Sequence, residues 1–185
     1  LLIFLVAFLI RLIALNQSLW LDEAVTANVV ENFNFLQIIA KFSPTDFHPP
    51  LYYLFMKLWT NVFGYSEVAL RFPSIIFSLL AGYFVYKIVS VFHDSIVVIW
   101  AAAVFLFNPL IVYYSQEARS YSFLVFITLL GIYFFIKALN ENMSGNCVPV
   151  SEHTRKSPIF DENKYWVAYT ASRIVLLYTH YLGFF

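Results

Sequence analysis

Leu51-Tyr52-Tyr53-Leu54-Phe55-Met56-Lys57-Leu58-Trp59-Thr60-Asn61-Val62-Phe63 is the stretch whose reading decides how the chain is threaded. A membrane-crossing helix takes about 20 apolar residues to span roughly 30 Å of hydrocarbon. This segment is shorter, carries Lys57 and Asn61 inside it, and follows Pro49-Pro50. Leu51, Leu54, Phe55, Leu58 and Val62 recur at helical spacing, which suits a helix lying in the membrane plane better than one crossing it. Pro50 fits a first helical position, where no amide donor is needed. Reading the segment as interfacial settles the course of the chain on both sides.

The surroundings are those of an integral membrane protein. The chain is 61% hydrophobic and only 12% charged, where soluble domains average about 25% charged. Eleven basic and eleven acidic residues cancel, so nothing global points to nucleic acid. The lone Cys147 excludes an internal disulfide and a multi-cysteine metal site. Leu1 and Phe185 both fall inside apolar runs, as expected of a fragment of a longer polytopic protein. No small-residue cleavage site follows Leu15.

Working outward, the fold expected is all-α and polytopic, with about five transmembrane helices over residues 1–15, 72–92, 95–114, 121–139 and 166–185. Residues 16–71 form one long loop with two interfacial helices, around 24–41 and over Leu51–Phe63. Residues 140–165 form a polar linker on the opposite side. Lys87, Lys137, Arg155, Lys156 and Lys164 gather on the linker side, whereas the long loop sets Lys41, Lys57 and Arg71 against Asp22, Glu23, Glu31, Asp46 and Glu67. The positive-inside rule then makes 140–165 cytoplasmic and 16–71 extracytoplasmic. The short-looped, Tyr/Phe-rich style suggests a prokaryotic plasma membrane.

This threading brings Arg11, Asp22, Glu23, His48, Arg71, Gln116, Glu117, Arg119 and His180 to one rim. Two adjacent carboxylates at a bilayer edge are costly unless paired, solvated or used. Arginines beside them can hold a lipid-linked phosphate bidentately, and a carboxylate can take the proton of an acceptor hydroxyl. Each residue also has a plainer reading. Asp22-Glu23 can open a surface helix with Ser18 or Asp22 as N-cap, and Arg11 can snorkel to the interface. Arg71 can anchor a helix end, Glu117 and Arg119 can pair with each other, His48 can be a loop residue, and His180 can belong to an aromatic belt.

Four strings occur in order: Leu19-Trp20-Leu21-Asp22-Glu23-Ala24, His48-Pro49-Pro50-Leu51-Tyr52-Tyr53, Arg71-Phe72-Pro73-Ser74, and Tyr113-Tyr114-Ser115-Gln116-Glu117-Ala118-Arg119-Ser120-Tyr121. Together they resemble the N-terminal module of GT-C glycosyltransferases, in the branch related to protein O-mannosyltransferases and the bacterial aminoarabinose (lipid A) transferases. The resemblance covers nearly the whole chain. It implies a polyprenyl or dolichyl phosphate-linked sugar donor, a protein or lipid/glycan acceptor, and an active site outside the cytoplasm. It implies Asp22 as catalytic base or acceptor-orienting carboxylate with Glu23 beside it, Arg11 and Arg71 near the donor, and His48 near its phosphate. Gln116, Glu117 and Arg119 would border the substrate site. Members of the superfamily vary in metal use; Asp22, Glu23 and Glu117 could hold a divalent cation, although no ligand spacing demands one. Relatives are much longer, so this stretch by itself is expected to be inactive.

The reaction expected is an inverting transfer in which the acceptor attacks the anomeric carbon and a weakly basic phosphate leaves without a general acid. Two other classes compete: a transporter or flippase of lipid-linked or anionic substrates, and a non-catalytic scaffold. A transporter would place charges at mid-depth and break its helices at corresponding positions. Here the charges collect at one rim.

Overall fold

The computed structural model describes residues 2–13, 15–44, 49–145 and 163–179, with residues 142–145 as backbone only. Every regular element among them is helical. They are α1 (Leu2–Arg11), α2 (Leu21–Asn32), the short α3 (Phe35–Gln37) running into a π-turn over Ile38–Phe42, α4 (Leu51–Phe63), α5 (Glu67–Val89), α6 (Ser95–Leu106), α7 (Pro109–Ser115), α8 (Tyr121–Gly145) and α9 (Lys164–Thr179). His48, His180 and residues 146–162 of the expected 140–165 linker lie outside the described residues, and the ends of that linker continue α8 to Gly145 and begin α9 at Lys164.

The chain is an all-α membrane protein, with fewer full-length spans among the described residues than the expected five. Two helices are long and apolar enough to cross, Glu67–Val89 and Tyr121–Glu141; Ser95–Leu106 with Pro109–Ser115 makes a third if the pair, bent by 56°, counts as one. The first apolar stretch keeps helical form only to Arg11, and α9 has 16 residues within the described part. The segment Leu51–Phe63 is a separate helix of 13 residues, too short to span.

Two boundaries differ from expectation, and both have local causes. The helix expected from residue 72 starts at Glu67, because Ser66 accepts the Ala69 N–H at 3.3 Å and Glu67 sits favourably in the first turn. Arg71 and Pro73 are therefore inside the helix rather than ahead of it. Pro73 has no N–H to give the carbonyl four residues back, that of Ala69. The Trp59 indole N–H donates to that carbonyl instead, at 2.8 Å. Trp59→Phe should cost about 1 kcal/mol of stability in chemical denaturation, the worth of one hydrogen bond. An unchanged midpoint would mean that the Ala69 carbonyl finds another donor.

The second boundary is the break in 95–114. Pro109 cannot donate and disfavours helical geometry at Asn108, so α6 stops at Leu106. Asn108 then caps α7 by accepting the Leu110 N–H at 2.9 Å. Gly82 lets α5 and α6 approach closely, since a Cβ there would run into the Leu106 side chain. Gly64 ends α4 at φ 85°, a conformation that side-chain-bearing residues rarely adopt.

The long loop is packed onto the bundle. Val30, Ile38, Tyr53 and Met56 from the loop share one buried cluster with Leu70, Phe123, Ile127 and Leu176 from the long helices. Lys57 Nζ donates to the Val30 carbonyl at 2.5 Å and ties α4 to α2. Burying a side chain such as Met56 or Ile38 is worth about 1.5–3 kcal/mol. The loop helices thus form a layer across the ends of α5, α8 and α9, and that layer carries the acidic pair.

Candidate active site

Glu23 is the hub of the polar rim. It stands at the third position of α2, is 1% exposed, and its Oε2 accepts the Trp20 N–H at 3.4 Å. Arg71 donates to it twice, Nε to Oε1 at 2.8 Å and Nη2 to Oε2 at 2.6 Å. The Ala118 N–H donates to Oε1 at 2.8 Å. One carboxylate therefore holds together the start of α2, the first turns of α5 and the 116–120 loop.

Arg71 has no donor to spare. A guanidinium carries five N–H groups, and beyond the two on Glu23, Nη1 donates to the carbonyls of Leu15 (2.8 Å) and Gln17 (2.7 Å) and Nη2 to that of Ser18 (3.3 Å). These carbonyls belong to the irregular chain between α1 and α2. Arg71 fixes that segment; the resemblance places it near the donor.

Arg11 is likewise an internal clamp. It is fully buried and donates to Ser78 Oγ (3.1 Å), to the Ala7 carbonyl (2.9 Å) and to the Leu106 carbonyl (2.9 Å). Leu106 ends α6, where terminal carbonyls lack intrahelical donors and a cation is favoured. Gln116 performs the matching task for α1: its Nε2 donates to the carbonyls of Ile13 at 2.8 Å and of Ile10 and Arg11 at 3.4 Å. Both residues lie at the expected rim and face protein carbonyls.

Asp22 and Arg119 are different. Asp22 Oδ2 pairs with Arg119 Nη1 at 2.6 Å, with the Asp22 side chain 44% exposed and that of Arg119 16%. Arg119 also donates to the Tyr121 hydroxyl at 3.1 Å and lies 5.1 Å from that ring's centroid. Ser74 Oγ donates to the Glu117 carbonyl at 2.6 Å and holds the loop that presents Arg119.

Beside the Glu23–Arg71 pair opens a cleft of about 400 Å³, lined by Trp20, Glu23, Arg71, Tyr113, Gln116 and Glu117 among others. Glu117 is 6% exposed, and its Oε2 has no hydrogen-bond partner among the described residues. Trp20 and Tyr113 were legible only as part of a motif and of an aromatic belt; their place in the cleft follows from the turn before α2 and from the end of α7. Among the described residues no group of His, Cys, Asp and Glu is arranged to hold a metal ion.

The two buried glutamates titrate in opposite senses. Burial raises the proton affinity of Glu23, but the Arg71 hydrogen bonds, the Ala118 N–H, the Arg71 charge and the Trp20 N–H outweigh it and hold the carboxyl below its ordinary range. Burial holds Glu117 above that range, against the pull of the Tyr113 hydroxyl, with the Glu23 charge adding to the rise. The stability Glu23 contributes is therefore complete above the ordinary glutamate value of about 4.3 and is lost as pH falls through its lower folded value. Glu117 acts the other way, its fold gaining stability as pH falls through its raised value toward 4.3. Acid-unfolding curves should accordingly flatten below pH about 4 in Glu23→Gln and lose a stabilising limb above it in Glu117→Gln. Superimposable curves for both variants would contradict this assignment.

The helical membrane fold agrees with a GT-C type membrane glycosyltransferase, and the family match carries that class. Residues 47–147 match the family of dolichyl-phosphate-mannose-protein mannosyltransferases, and the chain belongs to that family. No curated protein and no solved structure matches it. The matched range takes in Arg71, Glu117 and Arg119, whereas Asp22 and Glu23 lie ahead of it and are joined to it by the ion pairs described.

Proposed function

We propose that this chain forms part of the catalytic module of an enzyme that moves a sugar, mannose by the family's description, from a dolichyl or polyprenyl phosphate to a protein hydroxyl outside the cytoplasm, with inversion. The observation that carries the reading is the Asp22–Arg119 pair, with the Asp22 side chain 44% exposed, beside the buried Glu23–Arg71 pair. Arg71 spends its donors on protein oxygens and Arg11 is fully buried on protein oxygens, which leaves Arg119 as the partly exposed arginine of the rim among the described residues. In this reading Arg119 turns to the donor phosphate, and Asp22 takes the proton of the acceptor hydroxyl. The hydroxyl oxygen forms its bond to the anomeric carbon as the bond to phosphate breaks. The phosphate leaves with the electron pair, its charge met by Arg119 where such contacts are strong. No general acid is needed for so weakly basic a leaving group.

The experiment is transfer of radiolabel from dolichyl-phosphate-mannose to protein in membranes carrying the natural protein. Label should leave the lipid and appear in protein. Retention of all label in lipid, at normal abundance of the protein, would overturn the reading and favour a transporter or scaffold.

A further inference from the structure

The 400 Å³ cleft lies in the size range of small-ligand sites, about 300–1,000 Å³. Its chemistry is ill suited to a phosphate. The Arg71 guanidinium that borders it has all five donors engaged, and the Gln116 amide nitrogen is spent on helix-end carbonyls. Two carboxyl groups, Glu23 and Glu117, line the same space, and a phosphate there would meet like charge without a free cation. What the cleft does offer is a buried carboxyl oxygen with no partner and two large aromatic faces, Trp20 at 51% exposure and Tyr113 at 53%.

A neutral polyol answers all of these features. The apolar C–H face of a sugar ring covers an aromatic side chain, and its hydroxyl groups can donate to the Glu117 Oε2 that is otherwise buried without a partner among the described residues. We infer that this cleft is the subsite for the transferred sugar ring, with Glu117 Oε2 hydrogen-bonding ring hydroxyls, Trp20 and Tyr113 flanking the ring, and the donor phosphate held outside the cleft on the Arg119 side. The inference rests on the transferase reading above and adds to it which residues distinguish a sugar-bearing lipid from a bare one.

The test compares binding of dolichyl-phosphate-mannose and dolichyl phosphate to the natural protein in lipid nanodiscs. Wild type should bind the sugar-bearing lipid more tightly. Glu117→Ala should weaken that binding about tenfold, as one lost hydrogen bond in a dry site would, and leave dolichyl phosphate unaffected. Trp20→Ala, at a half-exposed position, should show the same sugar-selective loss. If both variants keep the wild-type ratio of the two affinities, or lose both lipids in parallel, the subsite is elsewhere. If wild type binds both lipids equally, the sugar subsite fails while the transferase reading stands. If wild type binds neither lipid, the transferase reading fails and the subsite with it.

Discussion

Arg71→Leu in the natural protein should destabilise the fold by about 3–5 kcal/mol, read as an early unfolding transition in detergent or nanodiscs. That is the scale for breaking a buried ion pair from one side, because the surviving charge stays buried without compensation. The loss extends beyond Glu23. The carbonyls of Leu15, Gln17 and Ser18 would each lose their guanidinium donor, and the segment between α1 and α2 would lose its tether. Arg71→Lys should rescue little, since one compact ammonium cannot reproduce a five-donor fork. Removing both partners in Arg71→Leu with Glu23→Leu should recover part of the loss, because the uncompensated charge goes as well. A single Arg71→Leu variant that unfolds no earlier than wild type would show that Glu23 and Arg71 do not hold the rim together.

The same pair explains what could and could not be read from the sequence. Its motifs converge because one carboxylate bonds three of the segments that carry them, so their order along the chain was informative about the rim. Composition and run length were enough for an all-α membrane fold, and proline placement with a helical apolar spacing was enough for a helix over Leu51–Phe63. Residue type did not reveal direction. Arginine at a rim suits a phosphate and a backbone carbonyl equally well, and residue type alone does not show that Arg11 donates to the Leu106 carbonyl or Arg71 to that of Leu15. The start of α5 was missed because Pro73 reads as a boundary, yet a tryptophan fourteen residues earlier supplies the donor that Pro73 lacks. The break at Asn108-Pro109 was written in the sequence and passed over within a long apolar run. Nothing local could mark the cleft, since its walls come from the turn before α2, from α5 and from the end of α7.

Asp22→Asn carries the largest expected effect on activity and almost none on the fold. A positioned carboxylate that takes a proton in the transition state is worth about 10²–10⁴ in rate; an amide of the same shape cannot take it. Mannose transfer from dolichyl-phosphate-mannose should fall by that factor, while stability should change by less than about 1 kcal/mol, because the Asp22 side chain of the pair is 44% exposed. Glu23→Gln, one residue along, would be limited by stability instead, its carboxylate being buried and bonded to Arg71 and Ala118. Arg119→Gln should act mainly on donor binding, raising KM for dolichyl-phosphate-mannose if that guanidinium meets the phosphate. This contrast between neighbours separates chemistry from architecture better than either variant alone. If Asp22→Asn keeps full turnover at normal abundance, the proton goes elsewhere, and Glu117, buried in the adjacent cleft with an unpartnered oxygen, is the carboxyl to test in its place.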